Sequence, residues 1–135
     1  MTPENARYWY PLSYTDAEAE IARCEAETLL SDVEFTGPIA VSSVLREPSR
    51  TAHFSARLLP LARAPNCTDL LEAVRVLGLS AERFKIEIRH LHCPKSTAYH
   101  PLASALGAAI KGQADLTTPA TRFWALETED GWWFG

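Results

Sequence analysis

The sequence predicts an α+β fold, and three patterns along the 135-residue chain lead to this expectation. Apolar and charged residues alternate over 84–89, which is the two-residue period of a half-buried strand. The apolar residues of 102–110 recur at the spacing of one helix face. Asp130 and Gly131 separate two aromatic-rich segments, and this pair is favoured in type I′ hairpin turns. Strands and helices are therefore mixed along one chain.

The N-terminal segment predicts a strand followed by a helix. Residues 7–14 are rich in aromatics, and Pro11 places that strand at a sheet edge because proline donates no backbone hydrogen bond. Thr15 or Asp16 caps the helix, which ends near Leu30. Helical spacing directs a small set of residues inward: Ile21, Ala22, Cys24 and Leu29.

The next segments predict two strands, a helix and a further strand. Gly37-Pro38 opens a strand over 39–45, residues 46–50 form a polar turn, and a third strand over 52–59 ends before a proline. Asn66 or Thr68 caps a helix that Gly78 ends, and the strand FKIEIRHL follows. The apolar face of this helix consists of Leu70, Leu71, Val74 and Leu77.

The order strand, helix, strand, strand, helix, strand is typical of the split βαβ arrangement called ferredoxin-like. We expect an N-terminal ferredoxin-like subdomain over 1–65 and a second α/β subdomain over 66–135. The second contains a helix over 100–111, a short strand over 114–116 and the hairpin. In that helix Pro101 suits the first turn, and Gly112 suits a left-handed stop.

Charge is unevenly distributed along the chain, although the net charge is −4. Residues 1–35 hold eight acidic and two basic residues, and the tail from 113 holds four acidic and one basic. The intervening residues 36–112 hold ten basic and five acidic residues. A basic middle segment is compatible with a nucleic-acid partner.

No strong catalytic motif is present in the sequence. It lacks a glycine-rich phosphate loop, a nucleophile elbow, a zinc-protease motif and a dinucleotide fingerprint. His90, His92, Cys93 and His100 are metal ligands by type, but their spacing fits no common zinc geometry. Three scattered cysteines predict no disulfide framework and favour a reducing, cytoplasmic environment. We expect no enzyme, no metal and no cofactor on this chain alone.

Basic and aromatic residues concentrate around the strand and the loop that follows it. Stacking on an unpaired base and contacts to phosphates require these two residue types together. The alternative interpretation is a charged strand face that only confers solubility. The candidate RNA-binding residues are Arg83, Lys85, Arg89, Lys95, Tyr99, His100 and Lys111.

Three segments resemble the THUMP domain of RNA-modifying enzymes. They are FKIEIRHL, ASALGAAIKG with its central Gly107, and ADLTTPATRFWALETEDGWWFG. EIARCEAETLL is similar to the first helix of tRNA methyltransferases that modify a D-arm guanosine at N2. The resemblance covers most of the chain and is strongest from Phe84 onward.

The resemblance implies a tRNA-binding module that reads the acceptor region and its 3′ end. S-adenosylmethionine and methyl transfer would belong to a separate downstream or partner methyltransferase domain, which this sequence does not contain. The acidic net charge departs from the usual basic character of RNA binders.

Two other functions are compatible with the sequence. A protein-interaction module would dock through the acidic first helix and the C-terminal aromatic hairpin. A small metalloenzyme would use His90, His92 and His100. No apolar run has the length of a membrane span, so we expect no membrane partner.

Overall fold

The computed structural model describes residues 7–46, 53, 56–93 and 99–135, without the side chains of Tyr99 and His100. The chain divides into two compact units, Met1–Pro60 and Leu61–Gly135. The described residues of each unit contain helical segments and one sheet, and the α+β class is confirmed.

The first unit contains a three-stranded antiparallel sheet with the order β1-β3-β2. Strand β1 is Tyr8–Pro11, β2 is Glu34–Thr36 and β3 is Ile39–Ser42. A 3₁₀ turn over Asp16–Glu18 leads into helix α1, Ala19–Leu29. The 3₁₀ turn begins with a reciprocal capping box between Thr15 and Glu18, which satisfies backbone donors at the start of the helical segment.

Two details of the first unit differ from the sequence prediction. Helix α1 buries Ala22 and Ala26, whereas Ile21 and Cys24 are exposed. Strand β2 was not predicted, and Gly37, with φ of 55°, lies in the turn that joins it to β3. Ala26 packs with Tyr10 and Ala40 of the sheet.

The ferredoxin-like strand pairing expected for the N-terminal half differs from the observed pairing. That arrangement would place its four strands in one sheet. The strand at 80–90 instead pairs with strands that follow it in the sequence, in the sheet of the second unit. Of the expected third strand, only Leu58 forms a described bridge, with Trp9. The expected turn over 46–50 lies almost entirely outside the described residues.

The second unit contains a five-stranded sheet with the order β4-β8-β7-β5-β6 and two helices. Strand β5 is parallel to β6 and β7, whereas β8 is antiparallel to β4 and β7. The elements are β4 (Ala62–Ala64), α2 (Cys67–Leu77), β5 (Ser80–His90), α3 (Tyr99–Ala108), β6 (Lys111–Ala114), β7 (Thr121–Thr128) and β8 (Gly131–Phe134). The prediction that β7 is an interior strand is confirmed.

Helix α2 begins and ends where the sequence predicts. The Asn66 side chain accepts a hydrogen bond from the Asp69 backbone N–H at 2.9 Å, which caps the first turn. Gly78 adopts the left-handed conformation, with φ of 61°, just after the last helical residue. Both signals are local in sequence, so no tertiary contact is needed to recognise them.

The glycine after α3 has a role other than the predicted helix stop. Helix α3 ends at Ala108, and Gly112 lies inside β6 with φ of 144°. A Cβ atom at Gly112 would lie 1.6 Å from the Ala81 carbonyl oxygen. Glycine is therefore required at position 112, because β6 approaches β5 too closely for a Cβ atom.

The predicted hairpin forms one residue earlier than expected. Thr128 pairs with Gly131, so the loop consists of Glu129 and Asp130. Among described residues other than glycine only His92 has positive φ, which excludes a type I′ turn at Asp130. Gly131 has φ of 122°, and a Cβ atom there would lie 2.6 Å from the Ala64 carbonyl oxygen.

The core of the second unit lies between the sheet and its helices. Apolar side chains of α2 and α3 pack on alternate residues of β5, β7 and β8. Its buried members are Ala64, Leu70, Val74, Phe84, Ile86, Ile88, Leu102, Leu106, Ile110, Phe123, Ala125, Trp132 and Phe134. This packing commits one face of β5 to the core and turns the other face away from the helices.

The C-terminal aromatic residues are buried. Trp132, Trp133 and Phe134 are exposed by 2%, 1% and 0%. The guanidinium of Arg63 lies 3.7 Å from the centroid of the Trp133 ring. The hairpin therefore contributes to packing, which removes it as the docking surface of the interaction-module alternative. No helix in the described part of the chain is long and apolar enough to span a membrane.

The burial of Trp133 predicts a large loss of stability on truncation. Trp133→Ala should lower the free energy of unfolding by about 3–5 kcal/mol, as for other large-to-small core changes. Trp133→Phe keeps most of the ring volume and should lose less. Urea unfolding of the three proteins measures the difference. Unchanged stability of Trp133→Ala, together with reduced RNA affinity, would instead assign Trp133 to an RNA contact.

Candidate nucleic-acid interface

Strand β5 presents a row of charged residues on the side of the sheet that faces away from α2 and α3. Phe84, Ile86 and Ile88 point into the core, so the residues between them point the opposite way. The row consists of Arg83, Lys85, Glu87 and Arg89. The predicted common strand face of the three basic residues is thus observed, with a carboxylate among them.

The parallel pairing of β7 with β5 extends this row sideways. Lys85 lies beside Arg122, and Glu87 lies beside Trp124. The Arg89 guanidinium carbon is 5.4 Å from the centroid of the Trp124 ring. We call this surface the charged face. Its members are Arg83, Lys85, Glu87, Arg89, Arg122 and Trp124.

Three members of the charged face are not among the residues predicted from the sequence: Glu87, Arg122 and Trp124. The alternation in TRFWALET places Arg122 and Trp124 on one strand side, which is a local signal. Which strand β7 adjoins, and in which register, is not local. The charged face therefore could not be assembled from the sequence alone.

Glu87 lies at the centre of three cations. Its Oε1 atom is 2.9 Å from both Lys85 Nζ and Arg122 Nη1, and its Oε2 atom is 3.0 Å from Arg89 Nη2. The Glu87 side chain is only 7% exposed, whereas those of Arg89 and Arg122 are 49% and 51% exposed. The carboxylate is thus enclosed, and the side chains of Arg89 and Arg122 remain about half exposed to solvent.

The ion pairs decide the protonation state of Glu87. Burial raises the pKa of this carboxyl group, but the hydrogen bond from Lys85 and the charges of Arg89, Lys85 and Arg122 outweigh burial. The net result is a pKa below the ordinary glutamate value. Glu87 is therefore ionised at neutral pH.

Two further predicted cations, Arg83 and Lys111, lie toward the other end of β5. Arg83 contacts Asp115 at 3.7 Å, and Asp115 is held by hydrogen bonds from the Thr117 and Thr118 backbone N–H groups. Lys111 is exposed and begins β6, where it pairs with Ser80. From Ser80 to Arg89 the strand spans roughly 30 Å. Lys111 and Arg89 thus lie near opposite ends of β5.

Three predicted residues cannot be placed against this surface. Lys95 lies outside the described residues. Tyr99 and His100 form the first turn of α3, but their side chains also lie outside the described part. Their RNA contacts stay predictions.

His90 at the end of β5 and Cys93 just after it both contact Glu127 of β7. His90 Nδ1 and Glu127 Oε1 form a hydrogen bond of 2.6 Å, and the His90 ring packs edge-on against Trp132. Burial raises the pKa of the Cys93 thiol, and nearby Glu127 raises it further, which disfavours the nucleophilic thiolate. No three His, Cys, Asp or Glu side chains within the described residues are placed to hold a metal ion.

An apolar cavity of about 630 Å³ lies between α3 and strands β5 and β6. Its lining includes Phe84, Ile86, Ala103 and Gly107, and Lys85 is its one charged member among the described residues. A polyanion requires several cations, so this cavity is a poorer candidate than the charged face.

Comparison with known proteins identifies the fold. No protein-family model and no curated protein sequence matches the chain. Among solved structures, a 4-thiouridine synthetase in complex with RNA and ATP matches with a TM-score of 0.57 and 11% identity. TrmN from Thermus thermophilus matches with a TM-score of 0.57 and 14% identity. Both structures share the α+β fold of this chain.

The fold is THUMP-like. Each match covers 96% of this chain, and the chain spans 40% of the synthetase and 44% of TrmN. The THUMP-like chain thus corresponds to less than half of either protein. At these identities the similarity establishes the fold, as the sequence resemblance implied.

The ion pairs of Glu87 predict a specific pH dependence of stability in this THUMP-like unit. Because the folded pKa is lowered, ionised Glu87 should contribute full stability above its unfolded pKa of about 4.3. The contribution should disappear as pH falls through the lower folded pKa. This contribution is measured as the difference in the free energy of unfolding between the wild type and Glu87→Gln, from pH 7 to pH 2.5.

The difference between the two proteins should be largest near neutral pH and should shrink in acid. Glu72→Gln is the matched control, because the Glu72 side chain is 63% exposed and pairs with Arg75 at the surface of α2. A difference that stays constant across the range would mean that the ionisation of Glu87 does not contribute to stability.

Proposed function

We propose that this chain is the RNA-binding module of a tRNA-modifying enzyme. The observation that carries the proposal is the charged face, present on a fold shared with a synthetase that was crystallised with RNA. On such a fold, a surface with four cations is suited to bind a polyanion. The described residues support this function more strongly than they support a catalytic reaction.

The charged face has the composition that a phosphate backbone requires. Its four cations form ion pairs with two carboxylates, Glu87 and Asp115, so positive charge is in excess. Arginine presents several donors in a planar fork, which suits phosphate oxygens. Because A-form RNA hides base edges in a deep groove, such contacts recognise backbone position and shape.

We further propose the parent activity and the region of tRNA that is bound. The fold shared with TrmN and the resemblance of the first helix support an S-adenosylmethionine-dependent guanosine-N2 methyltransferase, acting in the cytoplasm. The cofactor and the chemistry would reside on a separate domain. Lys95, Tyr99 and His100 would contact the acceptor region, where the two aromatic rings suit an unpaired 3′ base.

The first test of the function is the salt dependence of tRNA binding. Arg89→Ala combined with Arg122→Ala should weaken binding, because two half-exposed cations are lost. Each lost phosphate contact should also reduce the slope of log affinity against log salt by about 0.7–0.9. Fluorescence titrations at several salt concentrations measure both quantities.

Arg75→Ala is the matched control for this experiment. Arg75 is an exposed arginine on α2, and α2 packs on the opposite side of the sheet from the charged face. It should leave the affinity and the slope unchanged. If the double variant equals the wild type in both, the charged face is only a solvated surface, and docking through the acidic α1 becomes the better proposal.

The second test concerns the cofactor. We expect that this chain alone neither binds S-adenosylmethionine nor methylates RNA, because its sequence has no glycine-rich cofactor turn. Calorimetric titration with the cofactor should show no heat of binding, with a complete S-adenosylmethionine-dependent methyltransferase as the positive control. Saturable binding at micromolar concentration would contradict the assignment of the cofactor to another domain.

A further inference from the structure

A buried carboxylate at the centre of a polyanion-binding surface requires an explanation. A surface selected only for attraction to phosphate would carry cations without an acid among them. Yet Glu87 touches Lys85, Arg89 and Arg122 at 2.9–3.0 Å. Its negative charge weakens the attraction of all three for any anion.

The geometry indicates how Glu87 can favour ligand binding even though it weakens this attraction. Lysine and arginine side chains lose much rotamer freedom when they are immobilised by a ligand. Arg89 is already fixed by three groups, the Glu87 carboxylate, the Ile88 carbonyl oxygen at 3.0 Å and the Trp124 ring. Arg122 and Lys85 share the other oxygen of Glu87. The ordering of the three cations therefore precedes ligand binding.

Glu87 also sets the spacing of the cations. Three like charges on neighbouring strands repel each other, and without a central anion they would separate into solvent. With it, the three charged groups converge on one carboxylate, while the side chains of Arg89 and Arg122 stay about half exposed. The three cations therefore hold fixed positions, and the negative charge of Glu87 lowers their attraction for anions in general.

We propose that Glu87 is a specificity-determining residue for RNA binding. As the internal counter-ion of Lys85, Arg89 and Arg122, it holds the cations in a spacing that a folded RNA backbone matches and lowers their affinity for flexible polyanions. The inference rests on the proposed function, because it presumes that the charged face binds RNA. It concerns selectivity between anions and not attraction as such.

Two substitutions separate charge from position. Glu87→Gln keeps the side-chain shape but removes the counter-ion. Glu87→Asp keeps the charge, but its shorter side chain cannot reach all three cations. The probes are tRNA and heparin, a flexible polyanion without bases. Glu72→Gln changes the net charge by the same amount as Glu87→Gln, but on the helix-covered side of the sheet.

Glu87→Gln should bind heparin several-fold more tightly, with tRNA affinity unchanged or reduced, so the ratio of the two affinities falls. Glu87→Asp should weaken tRNA binding and leave heparin binding nearly unchanged. Glu72→Gln should change neither the tRNA affinity nor the heparin affinity. Circular dichroism and thermal unfolding establish that each variant is folded, and if Glu87→Gln does not fold, Glu87→Asp provides the test.

The outcomes distinguish this inference from the function on which it rests. If tRNA and heparin affinities rise equally in Glu87→Gln and neither changes in Glu87→Asp, Glu87 contributes only net charge and the inference fails alone. If the wild type prefers tRNA and both variants keep that preference, the inference also fails while the function stands. If the wild type does not bind tRNA, both fail together.

Discussion

The parallel pairing of β5 with β7 is the constraint on which the second unit depends. It places an eleven-residue strand inside the sheet and commits Phe84, Ile86 and Ile88 to the helices. Because side chains alternate along a strand, the same commitment forces Lys85, Glu87 and Arg89 onto the other side. The register then brings Arg122 beside Lys85 and Trp124 beside Glu87. One pairing thus builds both the core and the charged face.

The charged face also illustrates how a buried acid is tolerated on a protein surface. Removing a carboxylate from water is costly, and an unpaired Glu87 would protonate. Three cations reverse this outcome, and the ionised form is favoured despite burial. Each cation remains partly solvated, so none bears the full cost of desolvation. Such an arrangement contributes order to long, flexible side chains, which a binding surface needs more than stability.

What the sequence could predict was local. The caps of α2 at Asn66 and Gly78 and the alternation of β5 depend on neighbouring residues, and the structure has them as expected. The contact between Arg122 and Glu87 joins residues 35 positions apart, and no local signal reveals it. Gly112 shows the same limit, because its role follows from the proximity of Ala81 and not from the end of a helix.

A chemical-shift map of the tRNA complex tests the central claim most directly, that RNA binds the charged face. It would follow the arginine side-chain Nε–H and tryptophan indole N–H resonances during addition of tRNA. The account predicts shifts for Arg89, Arg122 and Trp124, with Arg75 on α2 unaffected, because α2 packs on the other side of the sheet. Shifts confined to Arg75 and to residues of the first unit, with the charged face unperturbed, would contradict it.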